Sequence, residues 1–387
     1  MKKIFLAPIF LTLFYSLHSC SSDALQPQPI YQVPTYGNMS LHSTTDTINL
    51  PLAEGTTTGL GSISYFTMND SSYVATFDKA TFTLTLYTFP SGNIIKAIPL
   101  KKWLTGIKLE KTSVCVRNFD SIIICTRTHI VLFDTSSRIK NKIEIPKGQS
   151  LAFSNETPLI IKGHILYTNN IKAVAENSLP ALKRYKLIEG FDLSLNDQKS
   201  YYNLPKVYTS DYYGYSFLRY GYCLNEKGNF VFSFPADTSL YETNLAEYHK
   251  SYNARSKFQT EDIKPVSKKD IEDGQSYYEY SIRYSYGPVF YDPAKKWYLR
   301  MAKQKLSDSS VYAKNRSRSR SMIILDQNFK IISEAPAPDH IDLFSLFFTR
   351  DGQLFARVDN NRKPYVSLVR VEYAEYIDSS GMASLKK

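Results

Sequence analysis

From about residue 44 onward the chain alternates short apolar runs with short polar turns. The runs have the length and composition of strands, and no long helical period interrupts them. Three stretches, "LTLYTFPSGNIIKAIPL", "HIVLFDTSSRIKNKIEIP" and "SMIILDQNFKIISEAP", each read as strand, turn, strand and predict hairpins. Further strand candidates, "YVATF", "SIIICT", "ILYTN", "FVFSF", "PVFYD" and "LFARV", precede such hairpins. Units also end repeatedly on an aliphatic or small residue followed by proline, at Pro51, Pro99, Pro146, Pro205, Pro265 and Pro336. The steps are 48, 47, 59, 60 and 71 residues, and Pro265 fits least well. Proline has no N–H to give a ladder, so it suits an edge strand or the position just past one. An edge strand that returns once per four-strand unit is the mark of propeller blades.

The last unit, "LFSLFFTRDGQLFARVDNNRKPYVSLVRVEYAEY", holds three strands and no proline-closed fourth, while "TTDTINLP" near the start is one strand too many. The pattern therefore predicts an all-β, six-bladed β-propeller over residues 44–387, closed by its N-terminal strand. Seven blades, if a long fourth or fifth unit hides another, and a two-sheet sandwich with a second domain are the competing readings. The stretches "VFYDPAKKWYLRMA", "IILDQNFKIISE" and "LFFTRDGQLFARV" resemble an uncharacterised lipoprotein family of Bacteroidota that carries a domain-of-unknown-function label. That resemblance implies a propeller-like fold and an envelope location. Its motifs are turns and strand edges, so it transfers no active site.

The N-terminus sets the compartment. Lys2 and Lys3 precede an apolar run, Ile4 to Leu17, that is too short for a bilayer core of about 20 residues and suits a signal peptide. The run closes on "LHSC", which resembles a bacterial lipobox. The resemblance implies cleavage before Cys20, acylation of that cysteine, and anchoring in the outer membrane. Residues 20–43, rich in Pro, Gln, Ser and Thr, read as a flexible tether. A membrane partner through this lipid is thus expected, and a nucleic-acid partner is not. The formal charge is +11, but Lys and Arg are scattered; an anionic glycan or lipid head group would suit it. Thirty tyrosines and 22 phenylalanines reinforce the strand reading.

Three cysteines follow the anchor. A hairpin about "RNFD" would set Cys115 nearly opposite Cys125, within reach of a disulfide; two buried thiols are the other reading, with Cys223 single in the core. No phosphate loop, nucleophile elbow, paired-histidine metal motif or calcium loop is present, and no cofactor is expected. Two features point to binding. In "RSRSR", alternation would align Arg316, Arg318 and Arg320 as an anion site. Two tyrosine clusters, at 201–222 and 277–291, follow blade-closing prolines, and such connections all emerge on one side of a propeller. Tyr212, Tyr213, Tyr278 and Tyr280 should then share one rim, with Trp103, Asp211, Arg283 and His340 on equivalent connections. Aromatic faces with a few polar groups suit a glycan or an extended peptide. The expected function is a lipid-anchored binding or scaffolding propeller that takes a glycan, a peptide or an envelope protein; a glycan- or peptide-active hydrolase or lyase with its site in the central channel is the alternative.

Overall fold

A computed structural model describes residues 28–171, 174–194, 197–306, 318–358 and 364–376. The signal-peptide stretch, Cys20 and Arg316 lie outside the described residues. The described residues form six small antiparallel sheets in sequence around a ring. Strand β1 (Met39–Pro51) comes first in the chain and belongs to the last sheet. Blade 1 is β2 (Leu60–Met68), β3 (Ser71–Asp78), β4 (Thr83–Phe89) and β5 (Ile94–Pro99). Blade 2 is β6 (Ser113–Asn118), β7 (Ser121–Cys125), β8 (His129–Phe133) and β9 (Ile139–Glu144). In blade 3 the inner strand is split into β10 (Leu151–Ala152) and β11 (Ile160–Lys162). Both halves pair with β12 (Ile165–Asn170), which leads to β13 (Lys186–Asp192) and β14 (Asp197–Asn203). Blade 4 is β15 (Gly221–Leu224), β16 (Phe230–Ser233), β17 (Ser239–Thr243) and β18 (His249–Asn253). Blade 5 is β19 (Ser285–Asp292), β20 (Trp297–Lys303), β21 (Arg320–Leu325) and β22 (Ile331–Pro336). Blade 6 runs β23 (Ile341–Phe348), β24 (Leu354–Val358), β25 (Tyr365–Glu375), then β1. The predicted hairpins are β4–β5, β8–β9 and β21–β22. The prolines fall at the end of an outermost strand or two residues past it, except Pro265, which sits in the long connection after β18.

Closure is as the pattern required. β1 pairs with β25 in antiparallel register, from Met39 opposite Glu375 to Pro51 opposite Tyr365. Leu41 packs with blades 5 and 6, and Leu50 with blades 6 and 1, so one strand seals both flanks of the last blade. The tether is shorter than expected. β1 begins at Met39, and the backbone is already bonded at Ile30, whose N–H donates to Ser251 O at 2.8 Å. Further on, Thr35 and Gly37 donate to Ile331 and Ile332 on the edge of β22. A Cβ at Gly37 would stand 3.0 Å from Ile332 O, which explains a glycine at that crossing. Residues 30–37 thus form a strap over the outer edges of blades 4 and 5, and they satisfy donors and acceptors that an edge strand leaves open.

Apolar clusters fill all six seams between blades, and in blades 3 to 5 the filling is aromatic. Tyr220, Tyr222, Phe230, Phe232 and Phe234 lie ring to ring at 5.5–6.4 Å. Their hydroxyls reach backbone carbonyls, as Tyr222 does to Pro158 O at 2.8 Å. One cation is sealed among them. Arg300 of β20 is fully buried, lies 3.8 Å over the Tyr286 ring, and donates to Ser233 Oγ and to the carbonyls of Thr238, Ala254, Phe234 and Asp237 in blade 4. Burial pulls its guanidinium down to about 10, so it stays charged at neutral pH.

Of the two cysteine readings, the free thiols hold and the disulfide does not. The β6–β7 register pairs Cys115 with Ile123 and Cys125 with Ser113, a two-residue offset, and both thiols are free. Burial pushes Cys115 up to about 11 and Cys125 up to about 12, so neither is a ready nucleophile.

Because β1 closes the ring, its core side chains should count more than their place near the N-terminus suggests. Leu50→Ala is expected to cost about 2–5 kcal/mol in urea unfolding. Deletion of 39–51 should bare the edge of β25 and shift the protein to aggregate on a sizing column; an unchanged elution volume with an unchanged unfolding midpoint would contradict closure.

Candidate ligand-binding site

In each blade the outermost strand hands over to the next innermost strand on one side of the ring. Three of these connections are partly helical: a short one after β5 carries the helix Leu100–Trp103, and two are longer. Between β14 and β15 lie a helix, Lys206–Ser210, and a 3-10 turn, Tyr215–Leu218. Between β18 and β19 lie helices Lys268–Glu272 and Ser276–Ile282. Ser267 caps the first of that pair by accepting from Asp270 N at 3.0 Å. The connections meet directly. Phe217 packs edge to face on Tyr280 at 5.0 Å, and Val266 N donates to Tyr212 O at 2.8 Å.

The tyrosines divide by depth. Tyr213 is only 5% exposed and lies between Tyr208 and Phe217, so it supports the surface rather than forming it. Tyr212 and Tyr278 are half-buried. Tyr280 reaches a cavity of about 360 Å³ whose wall also holds Tyr277, Lys303, Arg318, Arg320 and Phe344. The second tyrosine cluster and the described part of "RSRSR", read as separate features in the sequence, therefore converge on one pocket. Other candidates sit elsewhere. Trp103 fills the seam between blades 1 and 2, 6.0 Å from Phe133. Asp211 is exposed beyond its helix. Arg283 is engaged with Glu279 one turn back and with Lys264 O at 3.1 Å. His340 meets Ser43 Oγ at 2.5 Å on the closing strand.

The pocket is rich in cations. Lys303, at the end of β20, donates to Tyr280 OH at 3.0 Å, and its ammonium lies 5.2 Å from the Phe344 ring centre. Arg318 donates to Gln304 O at 2.8 Å, to Tyr280 O at 3.2 Å, to Ser285 Oγ at 3.1 Å and to Arg283 O. Its guanidinium stands 5.2 Å over the Tyr280 ring. Arg320 has Asp339 at 3.7 Å, an aspartate whose side chain is 86% exposed. Burial would raise the Tyr280 phenol, but Lys303, a hydrogen bond with Ser285 and the Arg318 charge outweigh it and hold it below its ordinary value of 10. No linear signal joins Lys303 or Phe344 to these residues; one ends β20 and the other lies within β23, and only blade curvature brings them together.

A second cavity, of about 300 Å³, opens the central channel. The break between β10 and β11 makes it. Ser154 Oγ accepts from Glu156 N and Thr157 N at 3.2 and 3.3 Å, and Pro158 offers no N–H to continue the ladder. The turn aims Glu156 into the channel beside Arg219 and Tyr215. Burial raises its carboxyl above the ordinary value and Asp342 adds to this, while Lys303 and Arg219 pull the other way. Deeper, an aromatic stretch of about 500 Å³ is walled by Tyr65, Phe66, Phe153, Phe347 and Phe348. Among the described residues no His, Cys, Asp and Glu group is arranged to hold a metal ion, and no helix is long and apolar enough to cross a membrane.

Comparison with known proteins agrees with this fold. The family described as a domain of unknown function (DUF4221) matches residues 106–336. The crystal structure of a DUF4221 family member from Bacteroides vulgatus superposes with a TM-score of 0.71 at 18% identity, over 88% of this chain and 99% of that one. A "putative exported protein" from Bacteroides fragilis gives 0.54 at 14% identity, over 89% and 97%. No curated protein matches in sequence.

Glu156 offers a direct check on the electrostatics of the mouth. Its pKa is raised on folding, so its contribution is fully present below the unfolded value near 4.3 and is lost as pH rises through the folded value. Glu156→Gln should therefore be more stable than the wild type near pH 7 and indistinguishable near pH 4 in urea titrations. The opposite order would show Glu156 to be held as a paired anion.

Proposed function

The chain belongs to the DUF4221 family, whose description assigns no chemistry, and from its own surface we propose that it is a binding propeller of the cell envelope that recognises an acidic glycan. One observation carries this reading. Lys303, Arg318 and Arg320 surround a single aromatic-walled pocket, and the one carboxylate in ion-pair contact with any of them, among the described residues, is the exposed Asp339. Clustered cations with so little internal compensation favour an anion. Flat rings beside them, Tyr277 at 70% exposure and Phe344 in the wall, favour a sugar ring over a compact ion. The pocket also lies beside the channel mouth, since Lys303 acts electrostatically on Glu156. A long acidic chain would find further polar groups there.

The lipobox around Cys20 supports an outer-membrane anchor. Nine residues, Ser21 to Pro29, separate it from the first bonded residue of the strap, a span of at most about 32 Å. Cys20→Ala should abolish incorporation of a fatty-acid analogue in cells; equal labelling of both proteins would remove the anchor from this reading.

Binding is tested by titrating the purified protein with oligogalacturonate and heparin oligosaccharides against neutral dextran. The charged chains should bind and dextran should not, with affinity falling as salt rises. Lys303→Ala and Arg320→Ala should each weaken binding by about 1.5–3 kcal/mol, the worth of a charge-assisted hydrogen bond. Equal affinity for dextran, or variants that bind like the wild type, would overturn the proposal.

A further inference from the structure

We infer that this pocket also cleaves uronic-acid chains by β-elimination, with the Tyr280 phenolate as the group that removes and returns the proton. The inference rests on the acidic-glycan reading above. Three features of the pocket support it. The Tyr280 oxygen accepts from Lys303 Nζ at 3.0 Å, so a phenolate formed there faces a cation already in place. Arg318 lies over the same ring, and all four of its acceptors are neutral, three carbonyls and one hydroxyl, so nothing bonded to it cancels its charge. The ring is fixed edge to face by Phe217, which limits its swing.

The charged and titratable groups around Tyr280 come from each element packed on it. They are Lys303 at the end of β20, Arg318 just ahead of β21, Arg320 at its start in the same wall, and, on its own helix, Tyr277 and the Glu279–Arg283 ion pair; Ser285 of β19 and Phe217 add no charge. The two charges that act on its phenol, Lys303 and Arg318, are both positive. The phenol is accordingly held below its ordinary value despite burial. A base near that range is what removal of a carbon-bound proton demands.

In the reaction, the Tyr280 phenolate takes the proton from the carbon next to the uronate carboxylate. The electron pair left on that carbon is shared with the carboxylate, where Arg320 faces the added charge. It then forms the carbon–carbon double bond and expels the glycosidic oxygen from the neighbouring carbon. The phenol returns its proton to that oxygen. The products are an unsaturated uronate and a shortened chain with a free hydroxyl, and Tyr280 is again the phenolate. No water, oxidant or reductant is consumed.

The test incubates the full-length protein with oligogalacturonate and heparin oligosaccharides and follows the ultraviolet absorbance of the unsaturated product, from about pH 6 to about pH 10, between the carboxylate and free-tyrosine ranges. Product should accumulate, with a rate that rises with pH and levels off below the ordinary tyrosine value. Tyr280→Phe keeps the ring against Phe217; it should bind within about twofold of the wild type and lose the rate by at least a hundredfold, the low end of what a positioned acid or base contributes. Lys303→Ala should move the rise in rate to higher pH. Binding without unsaturated product at any pH would overturn the elimination and leave the binding proposal standing. Product formed equally by Tyr280→Phe would remove Tyr280 from the chemistry. Absence of binding to both probes would end both proposals.

Discussion

The pairing of β1 with β25 is the constraint on which the ring depends. Five blades are built from consecutive strands, and each would pack on its neighbours without help from afar. The sixth has only three strands of its own, and the fourth arrives from the other end of the described chain, Met39–Pro51 against Tyr365–Glu375. Until that ladder forms, blade 6 presents an open edge and the seams on both its sides lack Leu41 and Leu50. The strap ahead of β1 extends the same constraint to blades 4 and 5. Half the circumference is therefore held by one continuous N-terminal segment.

Opposite in character is the fastening between blades 4 and 5. There the seam is aromatic, and Arg300 crosses it with hydrogen bonds to one hydroxyl and four carbonyls. A buried charge without a bonded carboxylate would be costly alone. The Tyr286 face and the carbonyl dipoles offset that cost, and removal of the guanidinium would leave several of those acceptors unpaired. This seam stands beneath the two longer helical connections. Rigid packing of Tyr208, Tyr213 and Phe217 below gives Tyr280 its fixed position above.

Blade number and closure were legible because both are written locally, in strand–turn–strand units and in prolines that mark where ladders end. The β4–β5, β8–β9 and β21–β22 hairpins needed only period and turn chemistry. The convergence of the two tyrosine clusters was also legible, since propeller topology sends all such connections to one side. Depth was not. Tyr213 and Tyr280 look alike in sequence, and only the neighbouring blade decides that one is buried under Phe217 and the other lines a pocket. The choice between a disulfide and two free thiols at Cys115 and Cys125 stayed open in the sequence for a related reason. The hairpin turns between Asn118 and Ser121, and that register carries Cys125 past Cys115 to Ser113. Lys303 and Glu156 were invisible because each acquires its role from a feature with no linear signature, blade curvature in one case and a strand break in the other.

The position of the closing strand has a consequence for the order of assembly. During synthesis β1 emerges among the first residues, yet its partner β25 is made more than 300 residues later. The strap meets the same delay, since β18 and β22 must exist before it can lie on them. An alternating, partly apolar strand must therefore remain unpaired while all the other blades are produced. Blades 1 to 5 gain most of their contacts from nearby sequence and are free to form as they appear, whereas closure joins the most distant parts of the chain and comes last. Keeping the early segment from pairing elsewhere would thus govern the yield of closed rings more than the intrinsic stability of any one blade.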